Sequence, residues 1–190
     1  MSKLLLTIAA AFLFTSTMAQ AEVKTFNLTW SGASFSNGAS ATGFITFDTV
    51  NFLSKGNNLN SADVIDLGVT VTGSINGNGN FTRSDFGGNF GGVLFNSPFA
   101  PDFGIELIGQ ISGGRQFGPA GSSGAFNLFA ANSDAPNGSA PFTLSTKGGD
   151  NMLLTSLTSV AAVPEADTSS MLLMGAGVMG FMARRRKQAA

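Results

Sequence analysis

Hydrophobic and polar residues alternate along two stretches in the first half of the chain. In the first, Phe26, Leu28 and Trp30 are separated by single polar residues. In the second, apolar positions 65, 67, 69 and 71 alternate with polar residues or glycine. A period of two places successive side chains on opposite faces of a strand, so both stretches predict half-buried β-strands. A third stretch, 44–47, has apolar residues on both faces and predicts a more central strand.

Further short apolar stretches are separated by turn-forming residues. The stretches lie at 81–82, 92–95, 104–108, 125–130, 142–146 and 152–160. Asn-Gly and Gly-Gly pairs tolerate the positive φ angles of tight turns, and turn signals of this kind occur at 37–38, 55–58, 76–79, 113–114, 137–138 and 148–149. Without a predicted helix, residues 22–160 are expected to form one all-β domain. An antiparallel β-sandwich or jelly-roll-like fold is favoured, and a flattened barrel is the alternative.

The first residues of the chain have a different pattern. Lys3 precedes an apolar run over residues 4–14, and Ala19-Gln20-Ala21 follows. A basic start, a short apolar segment and small residues at −3 and −1 are the features of a secretory signal peptide. We therefore expect residues 1–21 to be a signal helix that is exported by the Sec translocon and removed by signal peptidase after Ala21. A retained membrane anchor is the alternative.

The C-terminal end has three parts in a fixed order, with an apolar run at 171–183 in the middle. The residues that flank the run are Val163, Pro164, Glu165 and Ala166 before it, and Arg184, Arg185, Arg186 and Lys187 after it. A helix needs about 20 residues to cross the hydrocarbon layer, so the run is short and its basic flank must help to position it. We predict a transmembrane helix with a basic stop at 171–187 and a cytoplasmic C-terminus. A short amphipathic or disordered basic tail is the alternative.

Residues 161–170 are small and polar around Pro164, and they are predicted to be a linker. Proline restricts the residue before it to extended conformations, so Val163 is expected to be extended. The linker would then present the tetrapeptide 163–166 between a folded domain and the inner membrane, in the form that a protease needs.

These three parts together resemble the PEP-CTERM sorting signal of Gram-negative bacteria. Pro164 and Glu165 match the first two motif positions, and Ala166 stands where the second proline would be. The resemblance implies exosortase as a partner, cleavage near Pro164-Glu165 and only transient anchoring in the inner membrane. It also implies transfer to the cell surface or the extracellular space, where related proteins often accompany extracellular polysaccharide and biofilm genes.

Composition narrows the classes of partner. Between residues 22 and 164 there are five Lys or Arg and nine Asp or Glu, a net charge of −4. Nucleic-acid binding needs a basic surface and is therefore not expected. Charged residues make up 11% of the chain, well below the roughly 25% usual in soluble domains, and there are 25 glycines. Such a neutral, turn-rich surface is common in secreted β proteins.

The chain contains no His, Cys or Tyr, so Ser-His-Asp and Cys-His catalysis and the usual zinc and copper sites are excluded. A Ser-Lys pair could use Lys55 or Lys147, but no motif in the sequence pairs a nucleophilic serine with either lysine. Asp102 and Glu106 could form a glycosidase-type carboxylate pair, although loop carboxylates explain them better. We therefore expect the protein not to be an enzyme.

Calcium is the most credible small ligand, because its preferred ligands are oxygen atoms. Five aspartates lie beside glycine- or asparagine-rich turns: Asp63, Asp66, Asp85, Asp134 and Asp150. Their spacing matches neither the EF-hand nor the glycine-aspartate nonapeptide repeat. Solvated turn aspartates are therefore favoured over a calcium site, and no other cofactor is expected.

Aromatic residues are the last candidates for binding. Trp30 shares its phase with Phe26 and Leu28, so it is expected to be buried. A glycine- and proline-rich region contains Phe86, Phe90, Phe95, Phe99 and Phe103. These phenylalanines could expose an apolar partner site, but filling of the core is favoured.

The favoured function is an exported, non-enzymatic protein of the cell surface or the biofilm matrix, associated with extracellular polysaccharide. A carbohydrate-binding, lectin-like module with the same sorting signal is the alternative. A secreted hydrolase is the least favoured of the three.

Overall fold

The computed structural model describes residues 22–87 and 92–160. β-Strands are the main regular structure of these residues, as the alternating pattern predicted. The strands are β1 (Val23–Ser31), β2 (Ser40–Asp48), β3 (Asn58–Asn60), β4 (Val64–Thr72), β5 (Gly79–Thr82), β6 (Val93–Asn96), β7 (Ile111–Ser112), β8 (Arg115–Gln116), β9 (Ala125–Leu128), β10 (Asn137–Ala140), β11 (Thr143–Ser145) and β12 (Asn151–Ser159). The helices are α1 (Thr49–Ser54) and 3-10 turns at Ala33–Phe35, Ser61–Asp63 and Arg83–Asp85.

Neighbouring strands pair antiparallel throughout the described ranges. One sheet has seven strands in the order β10-β11-β12-β1-β2-β4-β5, and a smaller sheet has the order β3-β6-β9. Strands β7 and β8 form a separate hairpin around the predicted Gly113-Gly114 turn. The prediction of an antiparallel, mostly β fold is therefore confirmed.

The core lies between the inner face of the seven-stranded sheet and the smaller sheet. Phe26 and Phe47 stack with ring centroids 4.9 Å apart, and Phe47 meets Phe95 of the smaller sheet edge-on at 5.8 Å. Trp30 is 2% exposed and contacts Phe126 at 6.4 Å, which confirms its predicted burial. Aromatic rings therefore join the two sheets, and each buried ring removes a large apolar area from water.

Two local predictions in loops are wrong, and one short helix was not predicted. Residues 104–108 form turns and loop instead of a strand, and Asn137-Gly138 begins β10 instead of forming a turn. Helix α1 was not predicted, although Asp48 caps it by accepting hydrogen bonds from the backbone N–H groups of Val50 and Asn51. An aspartate before the first helical residue is a strong helix-start signal. The apolar strand pattern immediately before it obscured that signal.

A β-bulge changes the phase of β4. Phe47 pairs with Val64 and Thr46 pairs with Asp66, so Ile65 is the extra residue. Val64 is buried and Ile65 is 52% exposed. The predicted alternation of apolar residues therefore holds for Leu67 and beyond but not for Ile65, because a bulge inserts one residue and reverses the faces before it.

The loop after β4 and the loop before β12 are joined by polar contacts, although β1 and β2 lie between those strands in the sheet. The Ser74 hydroxyl bonds to Thr146 Oγ1 at 2.8 Å and donates to Asp150 Oδ2 at 2.7 Å. Asn76 accepts a backbone hydrogen bond from Gly148, and a Cβ atom at position 148 would lie 2.8 Å from the Asn76 nitrogen. These contacts, which we call the loop clasp, bring the β4–β5 and β11–β12 loops together and curl the sheet.

The chain divides into two units between Val160 and Ala161. The second unit lies outside the described residues, as do the predicted signal helix at 1–21, the linker at 161–170 and the membrane helix at 171–187. Among residues 22–87 and 92–160, no helix has the length and apolar character needed to cross a membrane.

Candidate functional site

Glu106, one of the two carboxylates that the sequence analysis favoured as loop residues over a catalytic pair, has a structural role. Glu106 Oε1 accepts hydrogen bonds from the backbone N–H groups of Leu157 at 2.7 Å and Ile108 at 2.9 Å. Its other oxygen accepts from the Ser156 hydroxyl at 2.5 Å. The backbone N–H of Leu107 also donates to the Leu157 carbonyl at 3.0 Å. Glu106 therefore fastens the 102–110 loop to the part of β12 that β11 does not cover.

Asp102 supports the same loop locally. Its Oδ1 atom accepts a hydrogen bond from the backbone N–H of Gly104 at 2.8 Å. Gln110 donates to the carbonyl oxygens of both Asp102 and Glu106, at 2.7 and 3.0 Å. Apart from the Leu107 bond to Leu157, side chains satisfy much of the backbone here, which explains why the predicted strand at 104–108 does not form.

The five aspartates considered for calcium are not brought together. Asp63 pairs with Lys55 and accepts from the backbone N–H of Asn60, whereas Asp134 pairs with Lys147. Asp66 accepts from its neighbour Leu67. Within residues 22–87 and 92–160, no group of three or more His, Cys, Asp or Glu side chains could hold a metal ion. The two lysines considered for Ser-Lys catalysis are thus engaged in these ion pairs.

Three aspartates have pKa values below the ordinary value of 3.8. The backbone hydrogen bond from Thr82 is the main cause of the low pKa of Asp85, and the backbone hydrogen bond from Ile75 is the main cause for Asp150. Burial raises the pKa of Asp63, but the hydrogen bonds and positive charge of Lys55, with the Asn60 bond, outweigh it. Each case is explained by a turn or loop contact, because bonds to a carboxylate favour its charged form.

The phenylalanine-rich region fills the core, as favoured. Phe86, Phe95 and Phe103 are buried, and Phe99 is partly buried against the same core. Phe103 meets Phe52 of α1 edge-on at 5.5 Å. Phe90 lies outside the described residues. The described members of this region therefore offer no apolar partner site.

An uncharged groove on the outer face of the seven-stranded sheet was not predicted. It has a volume of about 630 Å³ and crosses strands β1, β2, β4 and β5. Its residues are Asn27, Leu28, Thr29, Thr42, Gly43, Phe44, Gly68, Val69, Thr70, Asn80 and Phe81. We call this the outer-face groove. The polar residues that alternate with the core residues indicated in the sequence that each strand has a solvent face. They do not show which strands are neighbours, so they could not reveal the groove.

The described domain begins and ends at one end of this sheet. Strand β1 pairs antiparallel with β12, so Phe26 lies opposite Ser159, and Val160 donates a hydrogen bond to the Thr25 carbonyl at 2.7 Å. Glu22 and Val160, the first and last residues that the structure describes, therefore lie at the same end of the seven-stranded sheet. Ala19, Ala21 and the sorting residues 163–166 and 184–187 lie outside the described ranges, and their roles stay predictions.

The chain continues beyond the described β domain with the three-part segment that resembles a sorting signal. Comparison with protein families identifies that signal: the PEP-CTERM protein-sorting motif matches residues 162–187. The chain therefore carries a PEP-CTERM protein-sorting motif at residues 162–187, and this motif implies exosortase-dependent sorting of an exported protein through the membrane to the surface or the extracellular space. No curated protein and no solved structure matches the chain.

Proposed function

We propose that this protein is a non-enzymatic component of the cell surface or extracellular matrix, delivered by exosortase after cleavage near Pro164-Glu165. The match of the sorting motif to residues 162–187 is the observation that carries the proposal. Signal peptidase removes residues 1–21 after Sec export, and the helix at 171–187 anchors the chain only until sorting. The working protein is then the β domain, residues 22–160.

The structural role of the polar residues supports a non-enzymatic domain. Glu106, the most plausible catalytic carboxylate in the sequence, accepts hydrogen bonds from Leu157, Ile108 and Ser156. A general acid or nucleophile needs access to substrate, whereas this carboxylate is directed to the protein's own backbone. The domain is best classed as a two-layer β-sandwich, because Phe95 and Phe126 of the smaller sheet pack on Phe47 and Trp30 of the larger.

Surface delivery can be tested with an epitope inserted between Gly113 and Gly114. Both residues are exposed, and neither has an atom within 4 Å of an added Cβ, so the insertion should be tolerated. Intact exosortase-positive cells, or their matrix fraction, should bind the antibody. An otherwise identical exosortase-deficient host should keep the epitope in its membrane fraction. Equal distribution in the two hosts would refute the proposal.

A carbohydrate-binding role remains the second candidate function. The uncharged outer-face groove favours it, because hydroxyl and amide groups surround an exposed aromatic ring there.

A further inference from the structure

Two rows of side chains cross the outer-face groove, and strand register defines both. In the first row, Thr29 lies opposite Thr42, Thr42 opposite Thr70, and Thr70 opposite Asn80. All four residues are exposed. Neighbouring strands are about 4.8 Å apart, so this hydroxyl and amide row extends about 14 Å.

The second row contains an aromatic ring. Asn27 lies opposite Phe44, Phe44 opposite Gly68, and Gly68 opposite Thr82. Phe44 is 37% exposed, whereas Ile45 and Phe47 on the other face of the same strand are fully buried. An apolar ring on the solvent face of a strand is therefore the exception in β2.

Gly68 gives this ring its position. A Cβ atom at position 68 would lie 2.7 Å from Phe44 Cε1 and 3.2 Å from its Cζ. The ring therefore occupies the space above Gly68 and leans across β4. The ring forms an apolar platform. The amide of Asn27 on β1 flanks it on one side, and the hydroxyls of Thr42 on β2 and Thr70 on β4 flank it further along the strands.

The charge of the groove limits its ligand. None of its eleven residues is charged. Threonine hydroxyls and asparagine amides both donate and accept hydrogen bonds, which suits a ligand rich in hydroxyl groups. Asp66 is exposed two residues before Gly68, but its carboxylate accepts a hydrogen bond from the backbone N–H of Leu67 and is not part of the groove lining. The lining itself therefore offers no charge to pair with a charged ligand.

We propose that the outer-face groove binds an uncharged polysaccharide. One sugar ring lies with its C–H face against Phe44, and its hydroxyl groups bond to Asn27, Thr42 and Thr70. This site rests on the proposed function, since the protein meets such polymers only after export. It gives a surface or matrix protein a means of attachment to the polymer around it.

The test is affinity electrophoresis of the processed protein purified from an exosortase-positive host. The gels contain soluble α-glucan, β-glucan, mannan or galactan, or acidic alginate as the charged comparison. At least one uncharged polymer should retard the protein, and alginate should not.

Phe44→Ala should weaken that binding about tenfold, since a sugar ring loses its aromatic contact. Thr42→Val should weaken it by removing one hydroxyl at nearly constant volume.

Phe35→Ala is the matched control, because Phe35 is 42% exposed but lies in the 3-10 turn outside the groove. It should bind like the unchanged protein, and circular dichroism should show all variants folded. No retardation by any uncharged polymer would overturn the proposal, as would binding that Phe44→Ala leaves intact. Self-association or phospholipid-vesicle binding through Phe44, without polymer binding, would overturn it as well. Epitope delivery is measured separately, so loss of this site and loss of the proposed function are distinguishable.

Discussion

At the residue scale, the two faces of β2 separate stability from recognition. Phe47 is fully buried and contacts Phe26, Phe52 and Phe95, whereas Phe44 covers Gly68 on the solvent face. The same residue type therefore has two roles three positions apart. Side-chain direction alone assigns one ring to the core and the other to the groove.

This difference predicts unequal costs for one substitution. Phe47→Ala should lower the free energy of unfolding by about 3–5 kcal/mol, because it leaves a cavity between the two sheets. Phe44→Ala should cost about 1 kcal/mol or less, since most of the ring's surroundings are solvent and neighbouring side chains. Urea denaturation of both variants measures the two losses in unfolding free energy. Equal losses would show that Phe44 and Phe47 are assigned to the wrong faces of β2.

At the element scale, polar side chains hold loops onto strands. Glu106→Ala should lower the free energy of unfolding by about 1–3 kcal/mol, because the partly buried N–H groups of Leu157 and Ile108 lose their acceptor. Amide hydrogen exchange at Leu157 should rise in this variant. Asp102→Ala is the control: it removes one bond to Gly104 and should leave exchange at Leu157 unchanged. An unaffected stability in Glu106→Ala would reopen a catalytic role for this residue.

The low pKa values of Asp63, Asp85 and Asp150 predict sensitivity to acid. Their folded-state pKa values lie below 3.8, so the stability they contribute is present above about pH 4 and is lost as the pH falls through the folded values. Replacing all three by Asn should flatten the dependence of unfolding free energy on pH below 4. An unchanged dependence of unfolding free energy on pH in the triple variant would contradict the lowered folded-state pKa values of these three carboxylates.

The positions of most strands in residues 22–160 could be predicted from the sequence, because burial on one face imposes a period of two. Fold details that depend on non-local contacts did not. Ile65 is turned outward by a bulge that only its pairing with β2 reveals, and 104–108 is kept from forming a strand by the side chains of Glu106 and Gln110. The loop clasp depends on Ser74 and Asp150, which are far apart in the sequence.

The outer-face groove could not be predicted for the same reason. Thr29, Thr42 and Thr70 are ordinary polar positions in three separate stretches, and only the strand order places them in one row. The sorting signal is the opposite case. Its three parts are contiguous, so residues 162–187 could be recognised without knowledge of the fold.

At the scale of the whole molecule, we propose that processing separates the folded domain from its two address segments. Glu165→Ala should block removal of the C-terminal segment in an exosortase-positive host, because it changes the motif at the predicted cleavage site. Deletion of residues 184–187 should have the same effect by removing the basic stop.

Asp167→Ala is the matched control, because Asp167 is an acidic residue just beyond the tetrapeptide, and this variant should be processed normally. Immunoblots of the epitope-carrying chain would distinguish the processed and unprocessed forms, and normal processing of Glu165→Ala would contradict the assigned motif.

The most direct measurement of the central claim is terminal-peptide mass spectrometry of the native protein from an exosortase-positive host. Removal of both address segments predicts an N-terminal peptide that begins at Glu22 and a C-terminal peptide that ends within residues 162–166. Peptides from 171–183 should be missing from the surface or matrix fraction. Recovery from that fraction of a chain that still contains residues 171–187 would contradict the account.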